Sequence, residues 1–429
     1  MNKLQKEMQE RFYRYVGIPS QSHANGGTKV PSTEGQWEVA KLLEKECRAL
    51  GLVDLSLSDK CVLTGKFPAN LPADCTRKVP AVGFCAHMDT VDVNLSPEVH
   101  PQLVENYDGK DVILNKAQNI VMTTKEHPEL LQYKGQDIVF TDGTSVLGSD
   151  NKAAITNVMT ALDTLSKNKN MYHGDIYVAF VPDEECGLYG SKNMDFTKFT
   201  PDFAYTIDSC AVGEIVYETF NAGAGEVTIQ GVSAHPMSAK GVLVNPTLLA
   251  VDFINMFNRQ ETPECTEGKE GYIWAQQISG NQSQAKVMLK IRDHDKAKYE
   301  AKKKLIKDNV EKLQKIEPRA KVVCTLSDTY GNIADAITED NRKAIDYLYA
   351  AFKELDIKPN TIAMRGGTDG SFISTQGILT PNFFTGGLNF HSKFEFLPLP
   401  SLEKSNQVTM ALIKMIYVES STNPGGHLG

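Results

Sequence analysis

Seven residues at the ends of apolar runs have types that could do chemistry together: His87, Asp89, Asp150, Glu184, Glu185, Asp208 and His391. The run at 79–92, VPAVGFCAHMDTVD, is apolar and β-rich until it stops at His87, Met88 and Asp89, the pattern of a buried parallel-sheet strand that ends in polar groups. Residues 175–181 repeat the pattern and run into Pro182, Asp183, Glu184 and Glu185; residues 203–207 end in Asp208; residues 382–385 lead through Gly386 and Gly387 to His391. Adjacent carboxylates at a buried strand's end repel each other and lose hydration, so they persist there when a cation or a proton compensates. Two imidazoles and three carboxylates delivered by separate strand ends suit a pair of zinc or similar divalent ions, one carboxylate bridging, with positions left for water and substrate. Such a site generates hydroxide near neutral pH. Taken singly, each residue has a plainer reading: a lone His as hydrogen-bonded structure, Asp150 as a helix N-cap, His235 before Pro236 as a turn residue.

The elements that must position these groups follow from periodicity. In open α/β sheets ligands collect outside the carboxyl ends of the strands, which is where these residues fall. Leu4, Met8, Phe12 and Tyr15 have helical spacing, and Thr33 to Gln36 offers a capping box for a helix whose apolar face is Trp37, Ala40, Leu43, Cys47 and Leu50, with Gly51 as its C-cap. Residues 94–134 are polar, carry Pro97, Pro101, Gly109 and Pro128, and show no sustained period; they read as a long loop near a site. A helix follows Asp150, with Ala154, Ile155, Val158, Met159, Leu162 and Leu165 as its apolar positions. From about Tyr217 the order becomes strand, helix, two strands, helix, strand, a compact antiparallel sheet with helices on one face. It holds Ser233, Ala234, His235 and Pro236 after its first strand and Arg292 at the end of its third. The α/β pattern resumes after Tyr330, and a closing helix at 402–417 precedes a polar tail. The paired glycines at 366–367 and 386–387 lack the spacing of phosphate-binding loops.

Length and charge bound the rest. At 429 residues the chain is too long for one core, and its net charge of −8 argues against a nucleic-acid partner. No stretch approaches the roughly 18 apolar residues of a membrane span, and the charged start is unlike a signal peptide. Its eight cysteines, without CxxC pairs, read as reduced thiols, so the expected location is the cytoplasm.

The order of motifs resembles the peptidase T branch, the tripeptide aminopeptidases, of the M20 family of co-catalytic zinc metallopeptidases. The resemblance runs from PSTEGQW at 31–37 through AHMDT, LGSDNKAA, HGDIYVAFVPDEECG, AYTID, HPMSAKGVLVNP, IRDHD and RGGTDG to GGLNFHSKFEF at 386–396. It implies an α/β fold with a mixed central sheet flanked by helices, a catalytic di-metal domain at 1–216 and 330–429, and an inserted α+β lid or dimerisation domain at 217–329, which would make a homodimer. It implies two zinc ions per chain, His87 and Asp208 holding one, Glu185 and His391 the other, and Asp150 bridging. Asp89 would bond the second nitrogen of His87, Glu184 would be the general base, His235 would stabilise the oxyanion, and Arg292 would pair with a peptide carboxylate. The implied reaction is release of the N-terminal residue from short peptides, with an M20-type dipeptidase or deacylase as the alternative. A non-catalytic binding protein on the same fold and a purely structural metal protein are disfavoured by the intact Glu184 and by the open positions. Two positions depart from the family pattern: Asn151 replaces the second of two aspartates, and Ser209 replaces a glycine.

Overall fold

The computed structural model describes residues 1–23 and 29–422, with side chains to 419; most of the polar tail, 423–429, lies outside the described residues. The chain divides into two units, the first comprising Met1–Tyr217, Ile337–Ile362 and Thr368–Gly429, the second Glu218–Ala336 and Ala363–Gly367.

The first unit is built on a mixed eight-stranded sheet flanked by helices. Its strands run in the order Val53–Leu57, Leu63–Phe67, Ile176–Val181, Val82–His87, Phe203–Ser209, Asn382–Phe384, Glu214–Glu218, Asn360–Ala363. The four strands of the middle are mutually parallel: His87 pairs with Val181, Cys85 with Thr206, and Asn382 with Thr206. Their carboxyl ends therefore share one edge, and every side chain of Val82–His87 is buried, as a strand covered on both faces requires. The helix Ser149–Lys167 crosses this sheet, buried along nearly its whole length between the strands Val82–His87 and Phe203–Ser209 and the helices Lys3–Val16 and Leu399–Thr422. Gly51 closes the helix Gly35–Leu50 in the left-handed conformation at φ 90°, as its position requires.

Two expectations change. Residues 94–134 are not a structureless loop: they contain the strand Gln102–Val104, a hairpin of Val112–Asn115 with Ile120–Met122, and a 3₁₀ turn at Pro128–Tyr133. Tyr107, Leu114, Met122, Leu130 and Phe140 form a core there together with Leu388 and Phe396. The strands are only three or four residues long, too short to show a period. The capping box at Thr33 is also absent. Gln36 bonds Thr33 through its amide but gives its carbonyl to the Asp183 N–H at 2.9 Å and its amide to the Asp183 carboxylate at 2.7 Å, and Glu34 occupies the N-cap with no side-chain bond to the helix amides.

The second unit is a four-stranded antiparallel sheet in the order Tyr272–Gly280, Gln284–Asp293, Asn221–Gln230, Lys321–Tyr330. Its buried face packs Val227, Ile229, Val287, Leu289 and Ile291 against Phe253 of the helix Pro246–Asn255 and Tyr299, Ile306 and Leu313 of the helix Lys296–Ile316.

Candidate metal centre

Each group of the centre is fixed by backbone that the parallel strands leave at the shared edge. After Val181 the chain turns through Asp183, which is left-handed at φ 53° and fully buried. Its carboxylate accepts from the Ser32 N–H (2.7 Å), the Ser32 hydroxyl (2.6 Å) and the Gln36 amide. The PSTEGQW segment thus clamps the turn that presents Glu184 and Glu185. Asp89 completes the clamp, its two carboxylate oxygens accepting the backbone N–H groups of Glu184 (3.0 Å) and Glu185 (3.2 Å).

Asp150 lies between the two imidazoles. Its Oδ1 is 2.9 Å from His87 Nε2 and its Oδ2 is 3.0 Å from His391 Nε2. His391 Nε2 is also 2.9 Å from Glu185 Oε1, and His87 Nε2 is 3.7 Å from Asp208 Oδ1. The far nitrogen of His87 faces Asp89 twice, the carbonyl oxygen at 3.1 Å and the carboxylate at 3.3 Å. His87 and Asp89 are buried, whereas the His391 side chain is 46 % exposed, which leaves one side of the cluster open.

The electrostatics are those of too many anions in too little water. Burial raises the proton affinity of Glu184, Glu185 and Asp208; neighbouring carboxylates add to the rise and the imidazoles oppose it. Burial disfavours charge on His87 and His391, yet Asp150 and its neighbours hold both well above the ordinary imidazole range. Asp150 alone is held below the usual carboxylate range, burial being outweighed by the two imidazoles. Ligand atoms of His87, Asp150 and Glu185 lie within 4.8 Å of one another. Glu185 Oε1 is buried and, among the described residues, lacks a hydrogen bond, its approach to His391 having the distance but not the direction of one. A crowded set of imidazoles and carboxylates with an orphaned oxygen fits divalent cations.

The two departures from the family pattern have local explanations. The Asn151 carbonyl accepts the His87 N–H at 3.2 Å, and its amide donates to the Ile207 carbonyl (2.7 Å) and to Asp208 Oδ1 (3.0 Å), tying two strand ends to the start of the helix segment. The Ser209 hydroxyl accepts from Asn382, whose carbonyl oxygen in turn receives the Asp208 N–H at 2.7 Å.

Asp150 is not the N-cap of its helix. Gly148, at φ 79°, stands there, Asp150 and Asn151 depart from helical dihedrals, and Glu395 receives the amides of this turn. Sequence reasoning missed Glu395, and it missed Lys152, whose fully buried ammonium donates to the Ser20 hydroxyl at 2.6 Å while burial pushes its pKa down to about 7. It also missed Asp369, a buried carboxylate in RGGTDG with one oxygen unpartnered among the described residues. The available signal was a charge inside an apolar context: Lys152 lies in the first turn of a helix segment buried along nearly its whole length, and Glu395 sits between Phe394 and Phe396.

His235 and Arg292 belong to the second unit. His235 is exposed and its Nδ1 accepts the Met237 N–H at 3.2 Å. Arg292 lies on the sheet face opposite the helices, donating to the carbonyls of Gly223 (2.9 Å) and Ile291 (2.8 Å), with its guanidinium 5.7 Å from the Tyr330 ring centroid. An ion pair with Asp293 or Asp295 does not hold it. Asp293 pairs with Lys302 at 2.7 Å, and Asp295 caps the helix Lys296–Ile316.

A mixed sheet with an imidazole and carboxylate cluster at its strand ends, in a chain that also carries an α+β unit, is the combination that the resemblance to M20 metallopeptidases implies. Residues 217–318 match the family model described as a peptidase dimerisation domain. The chain is 50 % identical over 409 residues to a peptidase T-like protein of Yersinia pestis, covering 95 % of this chain and 97 % of that one. It is 44 % identical over 408 residues to peptidase T of Fusobacterium nucleatum, with 95 % and 97 % covered. Aminopeptidase PepT of Bacillus cereus shares the fold, with a TM-score of 0.73 at 21 % identity over 96 % of this chain and 99 % of that one. The chain belongs to the peptidase T family. Among the described residues no helix is long and apolar enough to cross a membrane, and all eight cysteines are free.

Proposed function

We propose that this chain is a two-metal aminopeptidase that releases the N-terminal residue of tripeptides. The observation that carries the reading is Asp150, which turns one carboxylate oxygen to each of two imidazoles that arrive on different segments. His87 and Asp208 would hold one ion, Glu185 and His391 the other, with Asp150 shared. When bound, two divalent ions, zinc by family resemblance, supply Lewis acidity for the scissile carbonyl and the attacking water.

The remaining work belongs to the chain's own groups. Glu184 takes a proton from the attacking water on its carboxylate and hands it to the departing amine; burial raises its proton affinity, which favours a carboxylate that must accept a proton. Asp89 fixes the ring of His87 and, through the two backbone amides it holds, the position of Glu184 relative to Glu185. His235 stabilises the developing oxyanion, and Arg292, free of a competing carboxylate among the described residues, pairs with the substrate's C-terminal carboxylate. We assign catalysis to residues 1–216 and 330–429 and the lid or dimerisation role to 217–329, a homodimer through that segment being supported by the family match at 217–318. Free thiols and the charge of −8 support a cytoplasmic enzyme without a nucleic-acid partner.

Glu184→Gln tests the assignment. It keeps the size of the side chain but removes the base, so turnover of a tripeptide should fall about 10²–10⁴-fold while metal content stays at the wild-type level. Loss of metal from Glu184→Gln and not from Glu185→Gln would show that the two glutamates have been assigned in reverse.

A further inference from the structure

The Glu395 carboxylate is 1 % exposed and gathers the donors of a single turn. Its Oε2 accepts the N–H groups of Leu147 (2.7 Å) and Gly148 (3.0 Å), and its Oε1 accepts those of Ser149 (2.8 Å) and Asp150 (3.3 Å) and the Ser149 hydroxyl. A carboxylate has about four lone-pair sites, so this one is saturated. The four amides belong to the turn that enters the helix, where Gly148 is left-handed and Asp150 and Asn151 depart from helical dihedrals; buried amides left without helical partners attract the nearest carboxylate. At this helix start the carboxylate nearest in sequence is that of Asp150 itself, and an Asp150 that capped its own helix would be turned away from the imidazoles.

We infer that Glu395 is a positioning residue for Asp150: it occupies the amides of the turn at 147–150 so that both oxygens of Asp150 remain free for the metal centre. The same segment holds Asp150 from two sides, because His391 Nε2 is 3.0 Å from its carboxylate while Glu395, four residues on, holds its backbone. The segment is itself closed by reciprocal hydrogen bonds between Leu388 and Phe396, Leu388 N–H to Phe396 carbonyl at 2.9 Å and the reverse at 3.1 Å. One short stretch thereby sets the distance between an imidazole of the centre and its shared carboxylate.

The inference rests on the reading of Asp150 as a metal ligand, and the experiment separates the two. Metal affinity is measured by competition with a chromogenic chelator on protein whose fold is checked by circular dichroism, for wild type, D150N, E395Q, S149A and S405A. The amide introduced by E395Q would turn an N–H₂ group toward two of the backbone donors, so this variant should bind zinc about 10- to 100-fold more weakly, the range for groups that orient ligands. S149A removes one of the five donors and should weaken binding about threefold or more. S405A serves as the control, since the buried Ser405 hydroxyl bonds Asn157 of the same helix at 2.8 Å and the Phe384 carbonyl at 2.7 Å, far along from the turn; it should lower the melting temperature and leave zinc affinity unchanged. A folded E395Q with wild-type affinity overturns the inference. Should E395Q fail to fold, equal zinc affinity in S149A and S405A overturns it, and a loss confined to S149A upholds it. Undiminished affinity in D150N would instead defeat the reading of the centre itself.

Discussion

Replacing Asn151 by Asp restores the pair of aspartates that the family pattern usually has, yet in this chain it should be costly, and the cost can be worked from three contacts. The Asn151 amide nitrogen, 1 % exposed as a residue, donates to the Ile207 carbonyl at 2.7 Å and to Asp208 Oδ1 at 3.0 Å. In N151D an oxygen takes its place, leaving the Ile207 carbonyl without its donor, a loss of about 1–3 kcal/mol. It also sets two carboxylates about as close as the present bond; at an effective dielectric of about 20 this repulsion is on the order of 5 kcal/mol. The repulsion is relieved when the introduced carboxyl takes up a proton, so its folded-state pKa lies above its unfolded value of about 3.9. A group shifted in this direction contributes stability that is present below the unfolded pKa and lost as pH rises toward the folded one. In metal-free protein N151D should therefore be less stable than wild type by the lost hydrogen bond, about 1–3 kcal/mol, at pH 5, and by several kcal/mol more at pH 8 as the repulsion sets in. Saturation with zinc should shrink the difference at pH 8, because the added anion is then compensated. Urea denaturation of chelator-treated protein at the two pH values, with and without zinc, reads all three quantities. Equal deficits at pH 5 and pH 8 would refute the argument that Asn151 serves here as a donor between strand ends.

Arg292→Ala should lower kcat/KM for a tripeptide about 10- to 100-fold and leave a tripeptide amide much less affected, since only the acid offers a carboxylate for charge-assisted pairing; an equal loss on both substrates, with metal content intact, would remove Arg292 from that role. Metal-free protein should lose stability as pH rises from 5 to 9. Burial lifts Asp208 to about 7 and Glu185 to about 8, and the carboxylates around His391 hold it at about 11, so each contribution is complete at low pH and disappears as pH climbs through these values. Melting curves across that range should show the stabilisation by added zinc growing with pH, and a zinc effect that shrinks as pH rises would contradict the picture of protons standing in for metal.

Much of the centre is legible in the amino-acid sequence because its groups lie at the ends of long apolar strands. His87 and Asp208 close runs that are buried on both faces, and Glu184 and Glu185 follow a third, so strand period and strand end are both visible. The α+β unit is legible for a similar reason: its strands alternate, and the helix Lys296–Ile316 has the expected ends. What escapes depends on partners far away in sequence. Gln36 has the spacing of a capping box, but Asp183 recruits it, and nothing local to residue 36 announces a partner 147 residues on. The start of the Ser149–Lys167 helix is capped by Glu395, 246 residues from Ser149, which is why Asp150 reads as the cap from sequence alone. The segment at 94–134 gains its order from packing on Leu388 and Phe396, and a core assembled from strands of three or four residues leaves no periodic trace.

The central claim is that this centre removes the N-terminal residue of tripeptides, and the most direct test is to identify the products from one tripeptide of three different residues. Purified enzyme with two equivalents of zinc should release the first amino acid and leave the dipeptide of the second and third, with no turnover of the N-acetylated peptide and none after chelation. Release of the third residue, cleavage of the acetylated substrate, or full activity in metal-free protein would contradict the account.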